Sequence, residues 1–195
     1  MEDRNICRVA IVGGGVTGWM SASFLSHMLG PSVEITLIDL GDLDETELDL
    51  GSIPPLKAFH QTLGINELDV IAKTQGSINW GKLGNRYFHP HGSYGAEFDA
   101  VPLHQWWLKA RSIGLPISSL DNLSMAWALA SESRFSQPIA DRRMIQSTFD
   151  YAYHLDGTLY KEFLATYSRA RGVKVVIGDI SHSERHITTG FVQHV

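Results

Sequence analysis

Three glycines, Gly13, Gly15 and Gly18, and one acid, Asp39, are the residues of this sequence whose types and spacing best suit chemistry. The glycines read G-x-G-x-x-G, the pattern that seats a pyrophosphate between a strand and a helix. Gly13 allows a tight turn. Gly15 admits backbone N–H groups to the phosphates with no Cβ in the way, and Gly18 lets the helix pack close to the strand. Val16 and Thr17 complete the loop and open the helix, whose N-terminus carries partial positive charge. Asp39 stands 21 residues beyond Gly18, at the end of a second apolar stretch. A carboxylate there accepts hydrogen bonds from an adenosine ribose. The chemistry predicted is dinucleotide binding; the plainer alternative is an ordinary βαβ corner without a ligand.

The elements that must hold these residues follow from apolar periodicity. Val9 to Val12 predict a short buried strand, and Val33 to Ile38 a second one ending at Asp39. Between them Trp19, Ala22, Leu25, Met28 and Leu29 recur at helical spacing, and Gly30-Pro31 stops the helix. The acidic run 41–49 reads as a solvated surface segment rather than a metal loop. Pro54 and Pro55 fix a bend and start a helix through Ala58, Phe59 and Leu63. The run 64–69 ends that helix and caps another, and Arg86 to His89 alternate as a short strand closed by Pro90. His89 and His91 form an extended His-x-His with no third ligand nearby, which argues against a metal. Leu103, Trp106, Trp107 and Leu108 fit an amphipathic helix, so packing into a core is favoured over an aromatic box for substrate. After Asp156, Leu159, Phe163, Leu164, Tyr167 and Ala170 line one helical face, and Gly172 ends that helix. Val173 to Ile177 then predict a buried third parallel strand, paired beside the first. The run 187–195 reads as one strand of a β-meander.

Bulk properties narrow the class. The chain has 195 residues, 44% of them hydrophobic and 19% charged, with a net charge of −5. That is room for one large α/β domain, or one domain with an insertion. Mild acidity and the lack of a basic run argue against a nucleic-acid partner. No segment reaches the roughly 18 apolar residues that a membrane span needs. The charged residues 1–5 lead straight into the first strand, so no signal peptide is expected. The single Cys7 excludes an internal disulfide and fits a reduced, cytoplasmic setting.

Several stretches, taken in order, resemble the flavin-dependent tryptophan halogenase family. They are Gly13-Gly-Gly-Val-Thr-Gly-Trp-Met20, Ile53-Pro-Pro-Leu56, Leu63-Gly-Ile65, Arg86-Tyr-Phe-His-Pro90, the Leu103–Arg111 helix, Arg134-Phe-Ser-Gln-Pro138 and Tyr151-Ala-Tyr-His-Leu-Asp156. The resemblance implies a Rossmann-like α/β FAD-binding fold of the aromatic-monooxygenase type. It implies a single domain over residues 1–195, with 40–150 inserted between the second and third parallel strands. An enzyme of this kind oxidises chloride or bromide with a flavin hydroperoxide. The hypohalous acid formed then halogenates an electron-rich ring such as the indole of tryptophan. A separate flavin reductase supplies the reduced FAD. The resemblance also places the backbone of Ile180, after the third strand, against the adenine.

Three departures from the family pattern bear on activity. Leu50 stands where the family has an acid before its Ile-Pro. The interval 76–79 that should carry the family's catalytic lysine is several residues short and holds none; Lys73 and Lys82 flank it but match other positions. The sequence also stops before the family's second flavin segment, its Trp-x-Trp-x-Ile-Pro signature and its catalytic glutamate. The expectation is therefore an incomplete or reduced halogenase-type flavoprotein. A non-enzymatic FAD-binding module and a different flavin monooxygenase are the alternatives.

Overall fold

The computed structural model describes residues 6–41, 50–85 and 87–194. Along the chain the elements are β1 (Arg8–Val12), α1 (Val16–Leu29), β2 (Glu34–Asp39), β3 (Leu50–Gly51), α2 (Pro55–Thr62), α3 (Glu67–Lys73), β4 (Ser77–Asn79) and β5 (Gly81–Leu83). There follow β6 (Phe88–Pro90), α4 (Leu103–Ser112), α5 (Met125–Ser131), β7 (Ala152–Leu155), α6 (Gly157–Ala170), β8 (Lys174–Ile177), β9 (Glu184–Arg185) and β10 (Val192–His194). They divide into two compact units, Met1–Leu48 with Leu63–Gln75 and Asp156–Val195, and Asp49–Thr62 with Gly76–Leu155. The acidic run at 42–49 and Arg86 lie outside the described residues.

The first unit is α/β and Rossmann-like: a parallel sheet in the order β1-β2-β8. The third strand therefore pairs with β2, not beside β1 as the sequence suggested. Val9 and Ile11 sit opposite Ile35 and Leu37, and Leu37 sits opposite Val175. Registered neighbours share a face, and α1 packs on this one. Ile35 and Leu37 are buried there with Trp19 and Ala22 of α1. Burial of each large apolar side chain stabilises by about 1.5–3 kcal/mol.

The opposite face carries Val12, Ile38 and Val176 in one registered row, and Val12 and Val176 are more than half exposed. Both β1 and β8 thus depart from the buried strands expected of them. An apolar run fits a strand covered on both faces, but here only one face is covered among the described residues.

Two helices also sit in a different phase from the one the apolar pattern implies. In α1 the buried positions are Val16, Trp19, Ala22, Ser23 and Ser26, while Met28 and Leu29 are exposed. In α6 they are Gly157, Tyr160, Leu164, Ala165 and Ser168, so the face through Leu159, Phe163 and Tyr167 is not the buried one. The cause is a polar contact between the helices: Ser23 Oγ and Ser168 Oγ share a hydrogen bond of 2.8 Å, both fully buried. Asn66 caps α3 by accepting from the Leu68 amide, as the sequence implied. The C-terminal hairpin pairs β10 with β9, so its second strand starts at Val192 rather than at Ile187.

In the second unit, β7 is the middle of an antiparallel sheet β3-β7-β4. Ser52 clamps it, donating its amide to the Tyr153 carbonyl at 2.8 Å while its hydroxyl accepts the Tyr153 amide at 2.9 Å. Phe88 of the β5–β6 hairpin packs with Ala126, Leu129 and Phe149, and Trp80 meets the rings of Phe149 and Tyr151 edge-on. The α4 helix buries none of its residues. Trp106 and Trp107 are held instead by indole N–H bonds to the carbonyls of Phe98 and Ser118. Core packing is not their role.

Candidate functional site

The glycine loop lies between the end of β1 and the start of α1. Gly13 adopts φ +114°, a conformation open to glycine, and its amide donates to the Ile38 carbonyl at 2.9 Å, tying the loop to β2. A Cβ at Gly18 would overlap the Gly13 carbonyl, so the helix can start this close to the loop only without a side chain there. Gly15 is the N-cap of α1 and supplies no side-chain cap, and the first turn contains no acid. Among the described residues, the amides of Gly14, Gly15, Val16, Thr17 and Gly18 have no acceptor. The first N–H groups of a helix are orphans that need a side chain, water or ligand. Here an anion is the partner that the geometry and the helix dipole both favour.

Gly13, Gly15, Val16 and Asp39 line one cavity of about 170 Å³. Thr17 is exposed in the first turn, where its carbonyl accepts the Ser21 hydroxyl, and neither Thr17 nor Gly18 lines the cavity. Ile180 lies beyond the end of β8, outside that lining, with its amide bonded to the Asp179 carboxylate at 2.7 Å. Asp39 accepts the Gly41 amide through Oδ1 at 3.2 Å.

Gly14, Leu40, Gly41, Gly157, Thr158 and Lys161 also line the cavity and were not singled out from sequence. Gly14 is buried, and a Cβ on it would collide with the Asp39 carboxylate. The middle glycine of Gly13-Gly14-Gly15 was the available signal. Gly157, Thr158 and Lys161 of α6 form the far wall. They are over a hundred residues from Asp39, and no local pattern marks them.

The cavity suits the diphosphate and ribose of a dinucleotide. It offers orphan amides, a run of bare glycine backbone, an acid for hydroxyls and a lysine.

The second unit has a wider cavity of about 760 Å³, bordered by Tyr94, Glu97, Leu103, His104, Leu108 and Arg142 among others. Its Ser93 hydroxyl is directed at the carbonyls of Gly95 and Thr148, and so is not poised as a nucleophile. The positions that depart from the family pattern each have a local setting. Leu50 is paired with Leu155 in β3, and the lysine-free interval forms β4 after Gln75, which turns at φ +51°. Lys73 ends α3 with its ammonium 5.5 Å from the Phe163 ring centre, and Lys82 lies in β5 opposite His89. His89 is exposed, while His91 has a buried Nε2 without a partner among the described residues.

The chain matches the sequence profile of the tryptophan halogenase family over residues 8–195. It belongs to the tryptophan halogenase family. It is similar to a tryptophan 6-halogenase of Streptomyces toxytricini, with 26% identity over 100% of this chain and 42% of the relative. A tryptophan 7-halogenase of a Kutzneria species is 29% identical over 86% of this chain and 35% of its own length. Among solved structures, flavin-dependent halogenases from Brevundimonas and Xanthomonas campestris superpose with TM-scores of 0.79 each, at 31% and 30% identity. They cover 97% and 96% of this chain and 39% and 38% of theirs. The chain thus spans about two-fifths of the length of the relatives it matches. Among the described residues no helix is long and apolar enough to cross a membrane.

Proposed function

We propose that this chain holds the ADP half of FAD and is the cofactor-binding part of a halogenase-type flavoprotein. The observation that carries this is the uncapped N-terminus of α1, opening with Asp39 onto a single cavity in a chain of this family. Gly13, Gly14, Gly15 and Val16 would receive the diphosphate on their backbone amides. Gly18 would keep the helix start close enough for that. Asp39 would accept ribose hydroxyls, and the turn after β8 at Ile180 would run beside the adenine. FAD supplies the oxidising chemistry when bound and reduced, and a separate flavin reductase would deliver it reduced.

The substrates on this reading are a halide and an electron-rich aromatic such as tryptophan or another indole, in a cytoplasmic setting. The chain's own residues support cofactor holding more strongly than halogen transfer. Its 76–79 interval has no lysine to position an electrophile, and Leu50 cannot accept the hydrogen bonds a carboxylate would. A non-enzymatic FAD-binding role is therefore the second reading.

A flavin-fluorescence titration tests the cofactor reading. FAD should bind, NAD should not compete, and Gly15→Val should abolish binding by placing a side chain at the diphosphate. Tight NAD binding with no FAD binding would overturn it.

A further inference from the structure

We propose that Lys161 is a diphosphate-binding residue of this site, a cation brought by α6 to a cavity whose glycine signature contains none. The inference rests on the cavity being the seat of the ADP half of FAD. Topology first brings α6 there. The strands β1, β2 and β8 are parallel; α1 leads away from β1, and α6 leads into β8. Both helices must then run against the strands, and both begin at the carboxyl edge of the sheet. Their side-by-side contacts agree. Ser23 meets Ser168, and about one turn further along, His27 of α1 meets Arg171, the residue that ends α6, at 3.3 Å.

The first turns of α6 thus face the glycine loop across the cavity. Thr158 and Lys161, three residues apart, fall on one side of that helix and line it. Lys161 is only partly exposed, yet among the described residues it has no ion pair and no hydrogen bond. Among the described residues the other charged group in the lining is Asp39, whose Oδ1 accepts the Gly41 amide.

Charge accounting favours a role for the lysine. A bound diphosphate brings about two negative charges, whereas one helix N-terminus offers roughly half a positive charge. The α6 helix adds little, because its own N-cap Asp156 already accepts the Leu159 amide at 2.9 Å. Asp39 in the same cavity deepens the deficit. Lys161 supplies a full charge where the loop and helix fall short, as a point-like phosphate donor.

The test uses the full 195-residue chain, with FAD and ADP titrations across a series of ionic strengths. Lys161→Ala should weaken both ligands by about tenfold, the effect of one charge-assisted hydrogen bond. It should also flatten the salt dependence, since the screened attraction has been removed. Lys161→Arg should restore most of the affinity, and Lys161→Glu should bind more weakly than the alanine variant. Lys161→Gln removes the charge but keeps most of the side chain, and replaces the alanine variant if that one does not fold. If the parent chain binds neither FAD nor ADP, the reading of the cavity itself fails. If the parent binds and the alanine or glutamine variant matches it in affinity and salt slope, Lys161 has no such role and the cavity reading stands. Weakened binding with an unchanged salt slope would make the residue structural and overturn the proposal.

Discussion

The Asp39 carboxylate occupies the space that a side chain on Gly14 would fill, so the acid at the end of β2 is buttressed by bare backbone of the glycine loop. The proposed phosphate cradle and the proposed ribose acceptor are thereby one unit, each holding the other in place. A change to either should disturb both.

Gly14→Ala should push Asp39 away from the cavity and lower FAD affinity by one to two orders of magnitude. Its stability cost should be that of overpacking, about 1–3 kcal/mol. Gly13→Ala is the contrast. Nothing lies within 4 Å of a Cβ there, but φ is +114°, so the cost is backbone strain of about 1–3 kcal/mol. Denaturant melts with FAD titrations of both variants check this: Gly14→Ala should lose more affinity for an equal loss of stability.

The Ser23–Ser168 pair should show strong coupling. Ser23→Ala strands the buried Ser168 hydroxyl, costing about 1–3 kcal/mol; Ser168→Ala should cost less, because the Ser23 hydroxyl keeps the Leu164 carbonyl at 3.5 Å, and the two changes together should be nearly neutral. A double-mutant cycle on urea midpoints measures it. Strictly additive losses would show that the two hydroxyls act independently.

Burial holds the His91 imidazole below its ordinary value of 6.5, and the Asp150 carboxylate only partly opposes this. The folded protein therefore takes up a proton at His91 less readily than the unfolded chain does. Between the lowered folded value and 6.5 the unfolded state carries more protons, so stability should fall as pH drops below about 6.5. His91→Gln should make the melting temperature less dependent on pH across that window. An unchanged slope would assign the acid sensitivity to other groups.

Regioselective halogenation of tryptophan is not expected from this chain alone, even with FAD, a flavin reductase, chloride and oxygen supplied. Hypohalous acid free in water reacts without positional control, and orientation of reactants carries much of the selectivity. The interval that would carry the orienting lysine is Gly76 followed by β4, whose residues are Ser77, Ile78 and Asn79. Losing one positioned group costs on the order of 10²–10⁴ in rate. Mass spectrometry of the reaction decides it: a single chlorotryptophan isomer, formed catalytically and lost on Gly15→Val, would prove the expectation wrong.

The glycine loop, α1 and β2 were legible because their determinants are local: apolar runs, glycines with fixed offsets and a proline stop. The family, too, was carried by contiguous motifs. The burial phase of α1 and α6 was not legible. The contact between them is a serine pair, and a periodicity count assigns serine to the solvent side. The position of β8 beside β2 depends on pairing across more than a hundred residues, which no local pattern records. Lys161 was invisible for the same reason, since its helix reaches the loop only through the sheet. Trp106 and Trp107 misled because indoles usually mark a core, whereas here each N–H is tied to a nearby carbonyl on a helix with no buried residue.

The half-uncovered row of Val12, Ile38 and Val176 ends where the cavity begins, for Gly13 and Asp39 are the next residues along two of its strands. Any second molecule attracted to that greasy row arrives at the rim of the proposed nucleotide seat. Crowding and ligation then become two equilibria in one vessel, joined by mass action. An affinity measured at micromolar protein would not match one measured at a hundred times that concentration. A dilution series, rather than one titration, is the proper unit of measurement for this chain.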